Sequence, residues 1–211
     1  MFGDGALTFR EFAMREPLPL ATIHDAILDF LRGRDDVALY GAQAVNAYVD
    51  EARMTQDVDI ISLRAEEFAE EVRRFLNERF QIAVRVREVR GGREYRIGQV
   101  RESKARHLVD VRLIQEFPPT QWVQQVHVIS PAELIAEKTI SWISRRGRPK
   151  AGTDWRDLAI LLITFPELKS STGPVRERLI AGGAADEILR AWDDLVAQTI
   201  EAEDDADEFD Y

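Results

Sequence analysis

The length of the apolar segments changes near residue 130, and this change limits which folds are possible. Before it, apolar residues form short, strand-length runs such as Val37 to Tyr40 and Val126 to Ile129. After it, they recur at helical spacing, and Ser130-Pro131-Ala132-Glu133 is typical of a helix start. The sequence therefore predicts an α+β fold, with a sheet and flanking helices in residues 1–130 and a helical bundle in residues 131–200.

The charge of the chain is concentrated at one end. The net charge is -10, but residues 201–211 hold seven acids and no base, so residues 1–200 carry only -3. Such a run predicts a disordered, solvated tail. The chain also lacks cysteine, a signal-peptide pattern and an apolar run long enough to span a bilayer. These features predict a cytoplasmic protein with no membrane contact, disulfide or thiolate metal site.

Two aspartates interrupt one of the predicted strands. Asp57 and Asp59 alternate with Val58 and Ile60. On an extended strand, residues i and i+2 point to the same face about 6–7 Å apart, so these two carboxylates repel each other. Water, a cation of the protein or a metal ion must offset the repulsion, and an all-oxygen ligand set suits Mg²⁺. A solvated strand end is the alternative interpretation of an isolated pair.

A third carboxylate lies in another predicted strand. Asp110 stands between Val109 and Val111, where a bare carboxylate is costly unless it is paired or bound to a metal. Arg112 shares its face of the strand and is one candidate partner. Alternatively, Asp110 joins the aspartate pair, and three aspartates on two strands are able to hold two Mg²⁺ ions.

A glycine turn precedes the aspartate pair. Gly41 follows a short strand and opens a helix predicted over Gln43 to Glu51, so free backbone N–H groups lie at the turn. Such a turn is able to hold phosphate. The chain then returns through Arg53 to Asp57. One short helix therefore joins a predicted phosphate site to a predicted metal site.

These motifs together resemble a known signature. Gly41-Ala42, a helix and then Arg53-x-Thr55-x-Asp57-x-Asp59 are similar to the nucleotidyltransferase (DNA polymerase β-like) superfamily. More narrowly, they resemble the minimal nucleotidyltransferases of the AbiEii type, which are toxins of bacterial toxin–antitoxin and abortive-infection systems. Asp110 matches the third acid of that family. In the family a serine or glycine usually stands at the position of Ala42, so a serine contact with phosphate is missing here.

The resemblance extends into the helical half and covers about residues 37–165. Leu134 to Lys138, followed by Asp154 to Leu158, is similar to the lysine-then-"KDxxDL" segment of the family. It implies a small mixed nucleotidyltransferase-type sheet and Mg²⁺-dependent transfer of a nucleoside monophosphate from an NTP to a hydroxyl of RNA, such as tRNA, or of a protein. It also implies an antitoxin protein as a partner. The implied catalytic and metal-binding residues are Asp57, Asp59 and Asp110, and the implied nucleotide-binding residues are Gly41, Ala42, Arg53, Thr55 and Lys138.

Charged residues of the helical half have two interpretations each. Lys138 lies on an apolar stripe, where it either binds phosphate in the cleft or snorkels at the edge of the core. Asp157 is predicted to orient other groups by pairing with Lys138 or Arg145. Arg145 and Arg146 begin a basic loop that either contacts a polyanionic acceptor or complements a helix end. The helix after this loop is predicted to begin at Thr153 or Asp154.

Two other functions remain open at this point. One is a non-catalytic module that binds a nucleotide or a partner on the same fold, which the acidic tail favours. The other is a small-molecule adenylyltransferase similar to the enzymes that modify aminoglycosides. NTP binding that is independent of Mg²⁺ would favour the module, and a deep acidic pocket without a basic rim would favour the small-molecule enzyme.

Overall fold

A computed structural model of the chain describes residues 19–101 and 105–201. The helices are α1 Leu20–Leu31, α2 Gly41–Asn46, α3 Ala65–Phe80, α4 Pro131–Ser144, α5 Pro149–Thr164, α6 Pro174–Ala181 and α7 Asp186–Ala197, with a 3₁₀ turn at Pro166–Leu168. The strands are β1 Val37–Tyr40, β2 Val58–Ser62, β3 Val84–Val89, β4 Glu94–Gln99, β5 Arg106–Leu113, β6 Thr120–Val123 and β7 Val126–Ile129. Apart from Glu201, the tail predicted to be disordered lies outside the described residues.

The seven strands form one mixed sheet in the order β3-β4-β5-β2-β1-β7-β6. β1 runs antiparallel to β2 and parallel to β7, whereas β2 runs parallel to β5. The predicted α+β class, with a mixed sheet ahead of a helical bundle, is confirmed. No helix among the described residues combines the length and the apolar character that spanning a bilayer requires.

The core lies between the sheet and the helices that cover one of its faces. β1 is buried at all four positions, and α3 places Phe68, Val72 and Leu76 against β2 to β5. These residues recur at a spacing of four, which puts them on one helical face. In the second half, α4 packs against α5, α6 and α7 and carries the fully buried Leu134 and Ile135.

Some element boundaries differ from the predictions. The cap at Ser130 is confirmed, since its side chain accepts a hydrogen bond from the Glu133 N–H at 3.3 Å. The helix α5 begins at Pro149, whose missing N–H is harmless in the first turn, so the start predicted at Thr153 or Asp154 is wrong. Asp154 instead lies inside α5 and is buried.

The second difference concerns the segment after the glycine turn. The helix α2 ends at Asn46 rather than Glu51. The side chain of Asn46 then brackets the returning chain, because its amide donates to the Arg53 carbonyl at 2.8 Å and its oxygen accepts from the Arg53 N–H at 3.1 Å. A short helix and this bracket together set the course of the segment that leads to Asp57.

Candidate active site

Strand pairing aligns the predicted acids at one end of the sheet. Tyr40 on β1 lies opposite Asp59 on β2, and Asp59 lies opposite Asp110 on β5. Asp57 precedes β2 by one residue. All three acids line one cavity of about 900 Å³, whose other wall is formed by α4 and α5. This cavity is the cleft that the site occupies, and Gly41 lines it too.

The Gly41 turn lies against the second aspartate. Gly41 has a φ of +68°, which favours glycine. A Cβ at this position would lie 2.1 Å from Oδ2 of Asp59, far inside van der Waals contact. Only a residue without a side chain therefore lets the backbone of the turn approach the Asp59 carboxylate this closely.

His107 joins the other two acids. Its Nδ1 lies 3.1 Å from Oδ2 of Asp57, and its Nε2 lies 2.9 Å from Oδ1 of Asp110. The hydrogen bonds to Asp110 and Asp57 raise the pKa of His107 to about 10, so the imidazole is a cation at neutral pH. The hydrogen bond from His107 in turn lowers the pKa of Asp57.

His107 was not predicted as a site residue, and strand geometry explains why. In a regular strand, residues three apart point to opposite faces. Here the β4–β5 register shifts between Ile97 and Gly98, which oppose Val109 and His107 respectively. The extra residue, Leu108, is a bulge, and bulges redirect side chains. Nothing in the sequence His107 to Asp110 marks a bulge, so the sequence could not have shown that His107 points towards the acids.

The Asp59 carboxylate has the least compensated charge of the three. Burial, followed by the charges of Asp57 and Asp110, raises the pKa of Asp59 to about 6. One side-chain atom each of Asp57, His107 and Asp110 lies within 4.8 Å of the other two. The cationic imidazole has no free lone pair, so the carboxylate oxygens are the groups available to a metal ion. A buried carboxylate beside two others, with oxygen ligands predominating, fits a hard divalent cation such as Mg²⁺.

Arg112 does not pair with Asp110, which was one of the two interpretations of that aspartate. Its guanidinium lies 4.5 Å from the ring centroid of Tyr40 and 3.9 Å from Oε1 of Glu137. Asp110 is instead approached by His107 and by Arg96, whose Nε lies at 3.3 Å. Burial raises the pKa of Glu137 to about 7, and this cleft residue was also missed by sequence analysis.

A second group of acids lies across the cleft, on α5. Asp157 is completely buried and receives two hydrogen bonds from Arg53, at 2.7 and 2.8 Å, and one from Lys138 at 2.7 Å. Burial tends to raise the pKa of Asp157, but the bonds from Arg53 and Lys138 lower it below its usual value. Arg145 bonds Asp154 at 2.7 Å rather than Asp157. Of the two partners predicted for Asp157, Lys138 is confirmed and Arg145 is wrong, and the pairing with Arg53 was not predicted.

The remaining predicted residues lie around this cleft. Thr55 is buried and accepts a hydrogen bond from Gln43 at 2.8 Å, which fixes the segment before Asp57. Arg146 stacks on Trp142 at 5.3 Å and is not among the residues that line the cleft. Asp157, which is fully buried behind the cleft wall, is not among them either, whereas Ala42, Arg53, Thr55, Lys138 and Arg145 line the cleft.

Comparison with known proteins identifies the family. A family model described as "Nucleotidyl transferase AbiEii toxin, Type IV TA system" matches residues 25–204. The Megavirus polyadenylate synthase shares the fold with a TM-score of 0.55 and 14% identity, over 70% of this chain and 32% of that chain. This chain therefore spans about a third of that protein's length. JHP933 from Helicobacter pylori aligns with a TM-score of 0.50 and 10% identity, over 90% of this chain and 93% of that one. No curated protein matches.

The two structural similarities, at these low identities, show the fold alone. The family model carries the assignment because it covers most of the chain, from the middle of α1 to beyond α7. It confirms the resemblance that the Gly41 turn and the aspartate pair indicated. The chain belongs to the AbiEii nucleotidyl transferase family.

Proposed function

We propose that this chain catalyses Mg²⁺-dependent transfer of a nucleoside monophosphate from an NTP to a hydroxyl acceptor. The observation that carries the proposal is the placement of Asp59 opposite Asp110 on paired strands, with Asp57 in the same cleft and the Gly41 turn against Asp59. Carboxylates gathered in this way, with the charge of Asp59 poorly compensated, fit a divalent cation that accompanies a nucleotide.

The chemistry follows the usual course of such a transfer. Asp57, Asp59 and Asp110 would hold Mg²⁺, which when bound would supply charge stabilisation on the phosphate oxygens and favour ionisation of the attacking hydroxyl. The acceptor oxygen forms a bond with the α-phosphorus while the bond to the bridging oxygen breaks and pyrophosphate leaves. In the proposal, Asp110 also helps to remove the proton of the acceptor hydroxyl.

The nucleotide is proposed to lie between the two halves. Backbone N–H groups at Gly41 and Ala42 would donate to its phosphates, a role that does not need the missing serine. Lys138 lines the cleft with one hydrogen bond to Asp157, and its ammonium keeps further donors for phosphate. Arg53 donates from Nε and one terminal nitrogen to Asp157. We therefore propose that its main contribution to nucleotide binding is to hold the segment that carries Thr55.

The composition of the cleft bears on the acceptor. Seven basic and six acidic side chains line it, and the bases include exposed arginines at the mouth of the cleft. A basic rim supports a polyanionic acceptor over a small cationic molecule. We therefore propose RNA as the acceptor ahead of a protein, and a cytoplasmic toxin controlled by an antitoxin as the biological role.

Transfer from labelled NTPs to bulk RNA or bulk protein, with Mg²⁺ or with EDTA, tests this function. The wild-type chain is expected to label an acceptor only with Mg²⁺, and Asp59→Ala and Asp110→Ala are expected to abolish labelling. Asp186→Ala, an exposed aspartate in the first turn of α7, is the matched control and should retain activity. Labelling that survives both cleft substitutions would reject the mechanism. NTP binding of equal strength with and without Mg²⁺ would support the non-catalytic module instead.

A further inference from the structure

The strands β3, β4 and β5 are covered on one face by α3. Their other face is lined by basic side chains. Arg85 and Arg87 alternate on β3, so both point to the same side, and both are exposed. Strand pairing places Arg87 opposite Arg96 and Arg96 opposite Asp110. The arginine face, as we define it, consists of Arg85, Arg87, Arg96 and Arg112.

The arginine face is poorly neutralised at its β3 edge, where Arg85 and Arg87 lie. In the part of the chain that the structure describes, Arg85 and Arg87 have no carboxylate within 4.0 Å, whereas Arg96 contacts both Glu94, at 3.0 Å, and Asp110, at 3.3 Å. Arg112 lies 3.9 Å from Glu137. Like charges directly opposite each other on neighbouring strands destabilise a sheet. Protecting the edge strand β3 from aggregation requires charge, but charges of mixed sign would serve equally well.

The arginine face is continuous with the cleft. Arg96 and Arg112 line both, and Arg90 in the β3–β4 turn extends the cleft wall towards β3. A ligand lying on this face therefore leads directly to Asp110. In the proposed reaction, Asp110 meets the acceptor hydroxyl, so the ligand that fits this face is the acceptor.

We propose that the arginine face is the docking surface for the acceptor and that the acceptor is a single-stranded nucleic acid. This inference rests on the proposed function. Guanidinium groups bind phosphate through paired N–H donors, and arginines two apart on a strand repeat about every 6–7 Å. A sugar–phosphate strand supplies regularly spaced charges for the face and a terminal hydroxyl for the reaction. An acidic protein segment has no such regular repeat of charge, and its hydroxyls lie on side chains rather than at the end of the chain.

Fluorescence anisotropy with labelled oligouridylate and oligodeoxythymidylate tests the surface. The double variant Arg85→Glu/Arg87→Glu removes two bases outside the cleft. Its matched control is Arg74→Glu/Arg79→Glu, which changes the same charge on exposed positions of α3 behind the sheet. The first variant is expected to bind at least about tenfold more weakly and to lose roughly 1.4 from the salt slope, because each phosphate contact in a single strand contributes about 0.7. The control should bind like the wild type, and NTP binding should be the same in all three.

The outcomes separate this inference from the proposed function. The docking surface is supported if the wild type binds oligouridylate and only the β3 variant loses this binding. Binding of oligodeoxythymidylate as well does not alter that conclusion. Unchanged binding in that variant, an equal loss in the α3 control, or displacement of the strand by polyglutamate at equal charge concentration overturns it. If the strand binds the arginine face but no nucleotide is ever transferred, the proposed function alone fails. If transfer proceeds while the β3 variant binds and reacts like the wild type, the docking surface alone fails.

Discussion

The two walls of the cleft each carry aspartates, and the two groups differ in how their charge is balanced. The helical acids, Asp154 and Asp157, are buried and fully paired with basic side chains. The strand acids, Asp57, Asp59 and Asp110, lie together with fewer bases, and the pKa of Asp59 is raised while that of Asp157 is lowered. Burial acts on both in the same direction, so the difference comes from the partners.

This contrast separates structure from function. A buried acid with two basic partners contributes to holding α4, α5 and the Arg53 segment together, and removing one partner leaves the others buried and unpaired. A buried acid among other acids has a cost in folding that a bound cation would remove. The helical acids are therefore expected to control stability, and the strand acids are expected to control metal binding and catalysis.

The largest expected effect is at Asp157. Asp157→Asn leaves the buried ammonium of Lys138 and the guanidinium of Arg53 without their carboxylate, which we expect to reduce the free energy of unfolding by roughly 3–5 kcal/mol. Urea denaturation followed by circular dichroism measures it. Asp193→Asn breaks the half-exposed pair with Arg176 and should cost about 1 kcal/mol or less. Similar costs for the two variants would remove the distinction between the helical acids and an ordinary surface pair.

Removing the charge of Asp59 is expected to lower nucleotide transfer but to raise stability in the absence of metal. Asp59→Asn should reduce nucleotide transfer at least about a hundredfold, which corresponds to about 2.7 kcal/mol. In EDTA the same variant should be more stable than the wild type by about 1–2 kcal/mol at pH 8. Because the folded pKa of about 6 exceeds the unfolded value of 3.8, the contribution of the Asp59 carboxyl to stability is complete below pH 3.8 and is lost as pH rises through 6.

Transfer rates and denaturation curves at pH 4, 6 and 8 check both parts of the Asp59 prediction. The gain in stability of Asp59→Asn should shrink towards pH 4, where the wild-type carboxyl is protonated as well. A variant that is less stable than the wild type at pH 8 in EDTA would show that the charge of Asp59 is compensated after all.

Gly41→Ala tests the contact between the turn and the strand acids. The backbone conformation at φ +68° costs an alanine roughly 1–2 kcal/mol, and its Cβ would force the Asp59 carboxylate to move. Gly33→Ala is a matched control, since Gly33 has φ +72° and nothing within 4 Å of a Cβ. We expect Gly41→Ala to lose transfer activity and to be less stable than Gly33→Ala in thermal melts. Equal activity in the two variants would show that the contact between the Gly41 turn and Asp59 does not contribute to nucleotide transfer.

His107 is expected to have the smallest effect, because its side chain is 35% exposed and screened by solvent. His107→Gln should cost on the order of 1 kcal/mol in EDTA at pH 6. The folded pKa of about 10 lies above the unfolded value of 6.5, so this contribution is complete below pH 6.5 and is lost as pH rises through 10. Denaturation at pH 6 and pH 10 measures it. A cost that does not change with pH would contradict a charged bridge between Asp57 and Asp110.

Much of the fold could be predicted because its signals are local. The apolar run of β1, the amphipathic pattern of α3 and the cap at Ser130 each determine an element within a few residues. The strand β6 was missed because Thr120–Val123 has no apolar run, and its residues become a strand by pairing with β7. Local pattern cannot supply a partner strand.

The site divides in the same way. Asp57, Asp59 and Asp110 could be predicted as candidate site residues because carboxylates in apolar strands are unusual in any context. The partners of these acids depend on tertiary geometry: a bulge at Leu108 turns His107 towards Asp110, and the fold brings Arg53 to Asp157 across 104 residues. The sequence offers many arginines at comparable distances along the chain and does not rank them.

Thermal unfolding against Mg²⁺ concentration tests most directly whether the strand acids form a metal site. The melting temperature of the wild type is expected to rise with Mg²⁺, since an ion that binds only the folded state stabilises it. Asp59→Asn should lose most of this rise, whereas Asp154→Asn, which changes a helical acid in the same cleft, should keep it. A rise that is the same in Asp59→Asn and the wild type, or no rise in the wild type, would contradict the account.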